Sequence, residues 1–179
     1  NVVSFAGESF NGDMVLMATG RVPNTRNLGL NDAGVTIDEN GAIIVNDYQE
    51  TNVKGIYAIG DVTNRINLTP VAIRDGIAVI KTIFGSMPTN PDHELVPSAV
   101  FTRPEIGTIG LTEEEAKIRH KIKTFKSFFK PMYNTLSDRN EKCLMKMIVD
   151  HETEKILGIH IAGENAAELI QLAAVSVKM

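Results

Sequence analysis

The sequence predicts an α/β segment followed by an α+β layer, and three observations carry that reading. Residues 55–61, Gly-Ile-Tyr-Ala-Ile-Gly-Asp, read as a buried strand that delivers an acid to a loop, and Thr69-Pro70 follow as a helix start. Pro88, Pro91 and Pro97 then mark a linker across 88–97, with Asn90, Asp92 and His93 between them. Beyond the linker, short strand-like runs alternate with two helical patterns, the signature of a strand-rich unit backed by helices.

Taken in order, residues 1–19 alternate apolar and polar around Gly7 and Gly12 and end in Met14-Val15-Leu16-Met17-Ala18, which predicts a hairpin arm leading into a buried strand. Residues 21–30 are rich in Pro, Asn and Gly and read as a loop crossing between domains. Residues 35–45 predict two short strands around the turn Asp38-Glu39-Asn40-Gly41. In 55–61, Ile56, Ala58 and Ile59 suit a strand covered on both faces, Gly60 permits close approach to the backbone, and Asp61 falls at the carboxyl end, where open α/β sheets bind ligands. Thr69 is expected to cap a helix over 70–84 whose apolar positions are Val71, Ala72, Val79, Ile80 and Ile83. That helix start aims its partial positive charge at the strand end.

Past the linker, 98–102 and 107–111 predict strands, and Thr112-Glu113-Glu114-Glu115 predicts a capping box opening a short helix to about residue 120. Strands are expected near 122–129, 143–149 and 155–162. Residues 166–179 read as a helix burying Leu169, Ile170, Leu172, Ala173 and Val177.

Composition narrows the function classes. With 179 residues, 43% hydrophobic and 22% charged, the chain reads as an ordinary soluble globular protein, large enough for one domain and small for two. A net charge of −4, with scattered Lys and Arg, argues against nucleic acid as a partner. No apolar run is long enough to span a bilayer and no leader pattern opens the chain, so a cytoplasmic protein with no membrane partner is expected. The single cysteine, Cys143, permits no internal disulfide and reads as a structural thiol in a strand. His93, His120, His151 and His160 are too widely spaced and unaccompanied to suggest a metal site, so no metal is expected. The chain starts without methionine in a strand pattern and ends in a helix without a stop signal, so both ends read as cut.

The motifs also have duller readings. Asp61 alone would be a loop cap, Gly20 a simple turn, and Met132 and Tyr133 ordinary packing residues. Gly55 through Asp61, Leu68-Thr69-Pro70-Val71-Ala72-Ile73 and Ala18-Thr19-Gly20-Arg21-Val22-Pro23-Asn24-Thr25 together resemble the second half of an FAD-dependent pyridine-nucleotide disulfide oxidoreductase. With Phe129-Lys130-Pro131-Met132-Tyr133 added, the likeness within that family is greatest to its glutathione reductases.

The resemblance implies a partial FAD/NAD(P)-binding Rossmann-like domain followed by an α+β interface domain. Residues 1–20 would end the NAD(P)-binding domain, 21–94 would be the C-terminal part of the FAD-binding domain, and 95–179 would be a dimerisation domain truncated at its C-terminus. It implies FAD contacts at Gly60, Asp61, Leu68, Thr69 and Pro70, NADPH contacts at Gly20, Arg21, Asn67 and Ala99, and glutathione-disulfide contacts at Met132 and Tyr133. The cofactors would be FAD and NADPH and the assembly a homodimer. The redox cysteine pair and the acid-base histidine would lie outside this chain, which alone would be inactive. Ile77 departs from the pattern, because several family members carry an arginine facing glutathione there. Trypanothione reductase is the near rival within the family, and dihydrolipoamide dehydrogenase and mercuric reductase are more distant. A non-catalytic dimerisation module is the rival from another class.

Overall fold

In the computed structural model, residues 2–5, 7–137 and 139–179 are described, and the chain divides into two compact units, Asn1–Asp92 and His93–Met179. The first opens with the expected hairpin, β1 (Val2–Phe5) against β2 (Glu8–Asn11), antiparallel with Phe5 opposite Glu8. The strand expected next does not form. Residues 14–20 have no regular structure, and Met14 and Leu16 are 88% and 87% exposed. Apolar character alone does not make a strand without a neighbour to pair with, and this segment finds none among the described residues.

Three other expected strands, the two within 35–45 and the one at 55–60, survive only as bridges. Ile37 pairs with Ile43 across the Asp38 turn, where the Asp38 carboxylate accepts from the Asn40 and Ala42 amides at 2.8 Å each and Gly41 takes φ 84°. Segment 56–59 makes one bridge, from Tyr57 to Glu50, flanked by Thr51 N–H donating to Ile56 O and Ala58 N–H donating to Gln49 O. It is not covered on both faces: Ala58 is buried, but Ile59 is exposed. Val35, Ile43 and Ala58 form the core of this unit, packed by Leu30, Val45, Val53, Ile56 and Val62.

Helix α1 runs Thr69–Phe84, with Leu68 rather than Thr69 as its N-cap and no side-chain cap bond. Leu68 stays extended, and its carbonyl accepts from the Val71 and Ala72 amides at 3.0 and 3.1 Å, closing the first turn without the threonine hydroxyl. Its buried face is Val71, Asp75 and Ala78, an i, i+4, i+7 stripe. Ile80 and Ile83, expected inside, are exposed, and Ile73, Ile77, Ile80 and Phe84 line a second, exposed apolar stripe.

The second unit is a five-stranded antiparallel sheet, ordered β3 (Ser98–Val100), β4 (Ile106–Gly110), β7 (Ile156–Ala162), β6 (Cys143–Asp150), β5 (Ile122–Phe129). Strand period two splits its residues between faces. One face meets α3 (Ala166–Lys178), and Ile109, Cys143, Ile161, Ala166, Ile170 and Ala174 form the core there. Leu172, expected in that core, is 73% exposed, because the helix presents its alanines at the contact. Gly107 explains the close fit: a Cβ there would stand 2.5 Å from Ala166 O and 2.8 Å from Ile170 Cβ.

The opposite face carries Thr108, His160, Lys146 and Lys126 in one register row. His160 Nε2 lies 3.1 Å from the Leu111 carbonyl, which can only accept, so Nε2 carries a proton there, and Nδ1 is hydrogen-bonded to the Thr108 hydroxyl at 2.7 Å. Helix α2 (Glu113–Arg119) opens with the expected capping box between Thr112 and Glu115. Glu113 at its first turn binds Lys117, Lys146 and Lys126 at 2.7, 2.8 and 3.5 Å.

Candidate functional site

The residues that the sequence singled out in the first unit meet around one short turn. Segment 55–60 runs into a 3-10 turn, Gly60–Thr63, because Gly60 takes φ +67°, a left-handed conformation that side chains oppose. A Cβ on Gly60 would lie 2.8 Å from Ala72 Cβ, so the turn is seated directly on the first turn of α1. Gly60 N–H also points to the Asp75 carboxylate at 3.4 Å, and the Thr63 hydroxyl donates to Gly60 O at 2.8 Å. The acid at 61 and the helix that begins at Thr69 are therefore neighbours, as the spacing predicts.

The Asp61 side chain is 42% exposed, so it is open to a ligand. Its backbone carbonyl accepts from the amide of Asn64, a residue at φ 50°, and the Asn64 side chain accepts from Asn67 Nδ2 at 3.1 Å. Asp61 Oδ2 accepts from Arg21 Nη2 at 2.5 Å across 40 residues of sequence. Gly20, just before, takes φ +112° with nothing within 4 Å of where a Cβ would be, which leaves open space at that turn. Of the residues assigned to a nicotinamide nucleotide, Arg21 and Asn67 thus both join the loop of Asp61. Ala99 stands in β3 of the second unit, paired with Gly107.

The side chains suit a polyhydroxyl, anionic ligand: a carboxylate, a guanidinium that only donates, and the amino end of a 16-residue helix that no side chain caps. Leu68, Thr69 and Pro70 form that amino end, with proline at a position where its missing N–H costs nothing. The Arg21–Asp61 pair was missed by sequence reasoning. Two residues 40 apart on irregular segments give no periodic signal.

In the second unit, Met132 and Tyr133 sit in a 3-10 turn, Met132–Asn134, after β5. Met132 is 85% and Tyr133 50% exposed, and the Tyr133 hydroxyl donates to Glu164 at 3.0 Å. Partial desolvation, then the bond to Glu164, push the Tyr133 hydroxyl above its ordinary pKa. Cys143 is buried and free, and desolvation pushes its thiol up, which suits packing rather than attack. Among the described residues no three His, Cys, Asp or Glu gather as metal ligands, and no helix is long and apolar enough to cross a membrane.

Comparison with known proteins adds to this geometry. Residues 2–76 match the family described as "Pyridine nucleotide-disulphide oxidoreductase", and residues 96–179 match "Pyridine nucleotide-disulphide oxidoreductase, dimerisation domain". The chain is 49% identical over 165 residues to the chloroplastic/mitochondrial glutathione reductase of Pisum sativum, covering 92% of this chain and 30% of that one. It is 47% identical over 173 residues to the glutathione reductase of Burkholderia cepacia, covering 96% and 38%. To the trypanothione reductase of Trypanosoma congolense it is 46% identical over 176 residues, covering 97% and 36%. Among solved structures, the HOCl-induced flavoprotein disulfide reductase RclA from Escherichia coli superposes with a TM-score of 0.90 at 26% identity, covering 98% of this chain and 41% of that one. The chain spans between 30% and 41% of the length of these proteins.

Proposed function

Since the chain belongs to the pyridine nucleotide-disulphide oxidoreductase family, as part of an FAD/NAD-binding domain followed by a dimerisation domain, we propose that it is a portion of a homodimeric glutathione-disulfide reductase using FAD and NADPH. On this reading residues 1–20 end the nucleotide domain, 21–94 complete the FAD-binding domain and 95–179 belong to the interface domain. The observation that carries it is the seating of Gly60-Asp61 on the first turn of α1, which puts a carboxylate and a helix amino end side by side.

The residues present fit the flavin. Asp61 would accept from ribityl hydroxyls, and the amino end of α1 at Leu68, Thr69 and Pro70 would favour negative charge on a ring system held near it. When bound, a flavin would supply two-electron transfer between NADPH and a cysteine pair, whose thiols would reduce the disulfide by exchange. Gly20 leaves room for a second ligand to approach the backbone. Met132 and Tyr133, exposed after β5, would be open to a disulfide substrate. On this reading a cysteine pair and an acid-base histidine would be supplied by residues other than those of this chain.

A second reading within the family replaces glutathione disulfide with a related, larger disulfide. The observation that favours it is Ile77, exposed on α1 where the family resemblance implies an arginine facing glutathione, and the trypanothione reductase match at 46% identity stands close to the glutathione reductase matches. Turnover of the full-length enzyme with NADPH on glutathione disulfide and on trypanothione disulfide decides between them. Activity on neither, with no flavin absorbance under saturating FAD, would leave only a dimerisation module.

A further inference from the structure

We propose that Arg21 is a positioning residue for Asp61, serving the flavin side of the site rather than the nicotinamide side; the inference rests on the flavoenzyme reading above. Arg21 Nη2 donates to Asp61 Oδ2 at 2.5 Å, while Oδ1 is not held by the guanidinium. A carboxylate on an exposed loop turns freely about two side-chain bonds. A cation paired with one oxygen favours the rotamer that presents the other.

The main chain around the acid is pinned as well. The Asn64 amide binds Asp61 O, the Thr63 hydroxyl binds Gly60 O, and Asn67 holds the Asn64 side chain. With the backbone held by these bonds, side-chain rotation is the freedom left to Asp61, and Arg21 is the group that removes it. Gly20, at φ +112°, makes the turn from which Arg21 reaches back to the loop.

The test uses the full-length enzyme. Arg21→Gln is expected to raise the FAD dissociation constant roughly fivefold, the scale of an exposed ion pair. It should leave the NADPH KM of the flavin-saturated enzyme unchanged. Arg21→Lys should recover part of the loss. In an Asp61→Asn background, Arg21→Gln should add nothing further, the signature of a coupled pair. Unchanged FAD affinity in Arg21→Gln, or additive losses in the double variant, would overturn the inference. So would a raised NADPH KM with flavin affinity intact, which places Arg21 with the nicotinamide. A parent enzyme without flavin bands overturns the flavoenzyme reading and this inference together, whereas a flavin-bearing parent with an unaffected Arg21→Gln variant overturns the inference alone.

Discussion

Asp150, the last residue of β6, holds His120, the residue that ends α2, with 2.7 Å between Oδ2 and Nδ1. The other carboxylate oxygen accepts from the Glu152 and Thr153 amides at 2.9 Å each. One side chain thus closes the turn between β6 and β7 and ties the end of α2 to the sheet. With Asp150 ionised, Nδ1 is the donor, which sets the His120 tautomer.

Acid should release this junction. The Thr153 and Glu152 amides, then His120, lower the Asp150 carboxyl from 3.8 to about 2. A carboxylate with a depressed folded pKa stabilises the fold fully above its unfolded value, and that contribution is lost as pH falls through the folded one. The window therefore runs from about pH 4 down to about pH 2. Circular dichroism melts across it should show falling stability, and Asp150→Asn should flatten part of the slope. A slope identical in the variant would show that other groups carry it.

Glu113 offers a separable electrostatic test. Lys126 and Lys146 are directly opposite each other on β5 and β6, an unfavourable like-charge pair that Glu113 bridges from α2. Bonds from Lys117 and then Lys146 bring the Glu113 carboxyl down to about 2. Glu113→Gln is expected to lower the melting temperature at low ionic strength, with the gap from the parent closing as added salt screens the lysines. A gap independent of salt would mean that Glu113 acts through packing.

Gly60→Ala should damage the candidate site through sterics. The new methyl would meet Ala72 Cβ at 2.8 Å, an atom fixed to the α1 backbone and unable to swing aside, in a residue held at φ +67°. Strain of this kind costs about 1–3 kcal/mol. Both the melting temperature and retained FAD of the full-length enzyme should fall. If stability falls but flavin content does not, the Gly60–Ala72 contact is structural only.

Local rules made part of this molecule legible. The α2 capping box is complete within four residues, and β5, β6 and β7 are short runs rich in strand-favouring residues. Residues 14–18 and 55–60 misled because a strand is a property of its neighbours, and their apolar content says nothing of which chain pairs with them. Thr69 misled differently. A capping residue with proline after it is a good signal, but Leu68 closed the first turn with its carbonyl and drew Thr69 into the helix. At the site, Gly60, Asp61 and the α1 start were readable from spacing. The guanidinium beside Asp61 was not, since nothing in local sequence relates positions 21 and 61.

The second unit depends on how closely α3 approaches β4, and Gly107 is the measure of it. Ile109 and Ile170 are 1% and 0% exposed at this contact, so the helix and strand share a core with no slack. A Cβ at Gly107 would fall 2.5 Å from Ala166 O, backbone that moves only if the helix moves. Gly107→Ala should therefore lift the amino end of α3 off the sheet and cost about 1–3 kcal/mol by overpacking. Ile170→Ala, which removes volume from the same contact without pushing the helix, should cost about 2–5 kcal/mol. Combining the two separates the causes. If Ile170→Ala relieves the Gly107→Ala clash, the double variant is more stable than the sum of single losses predicts, because the deleted side chain opens space for the new methyl. Strict additivity in denaturant melts would instead place the strain on the Ala166 carbonyl alone.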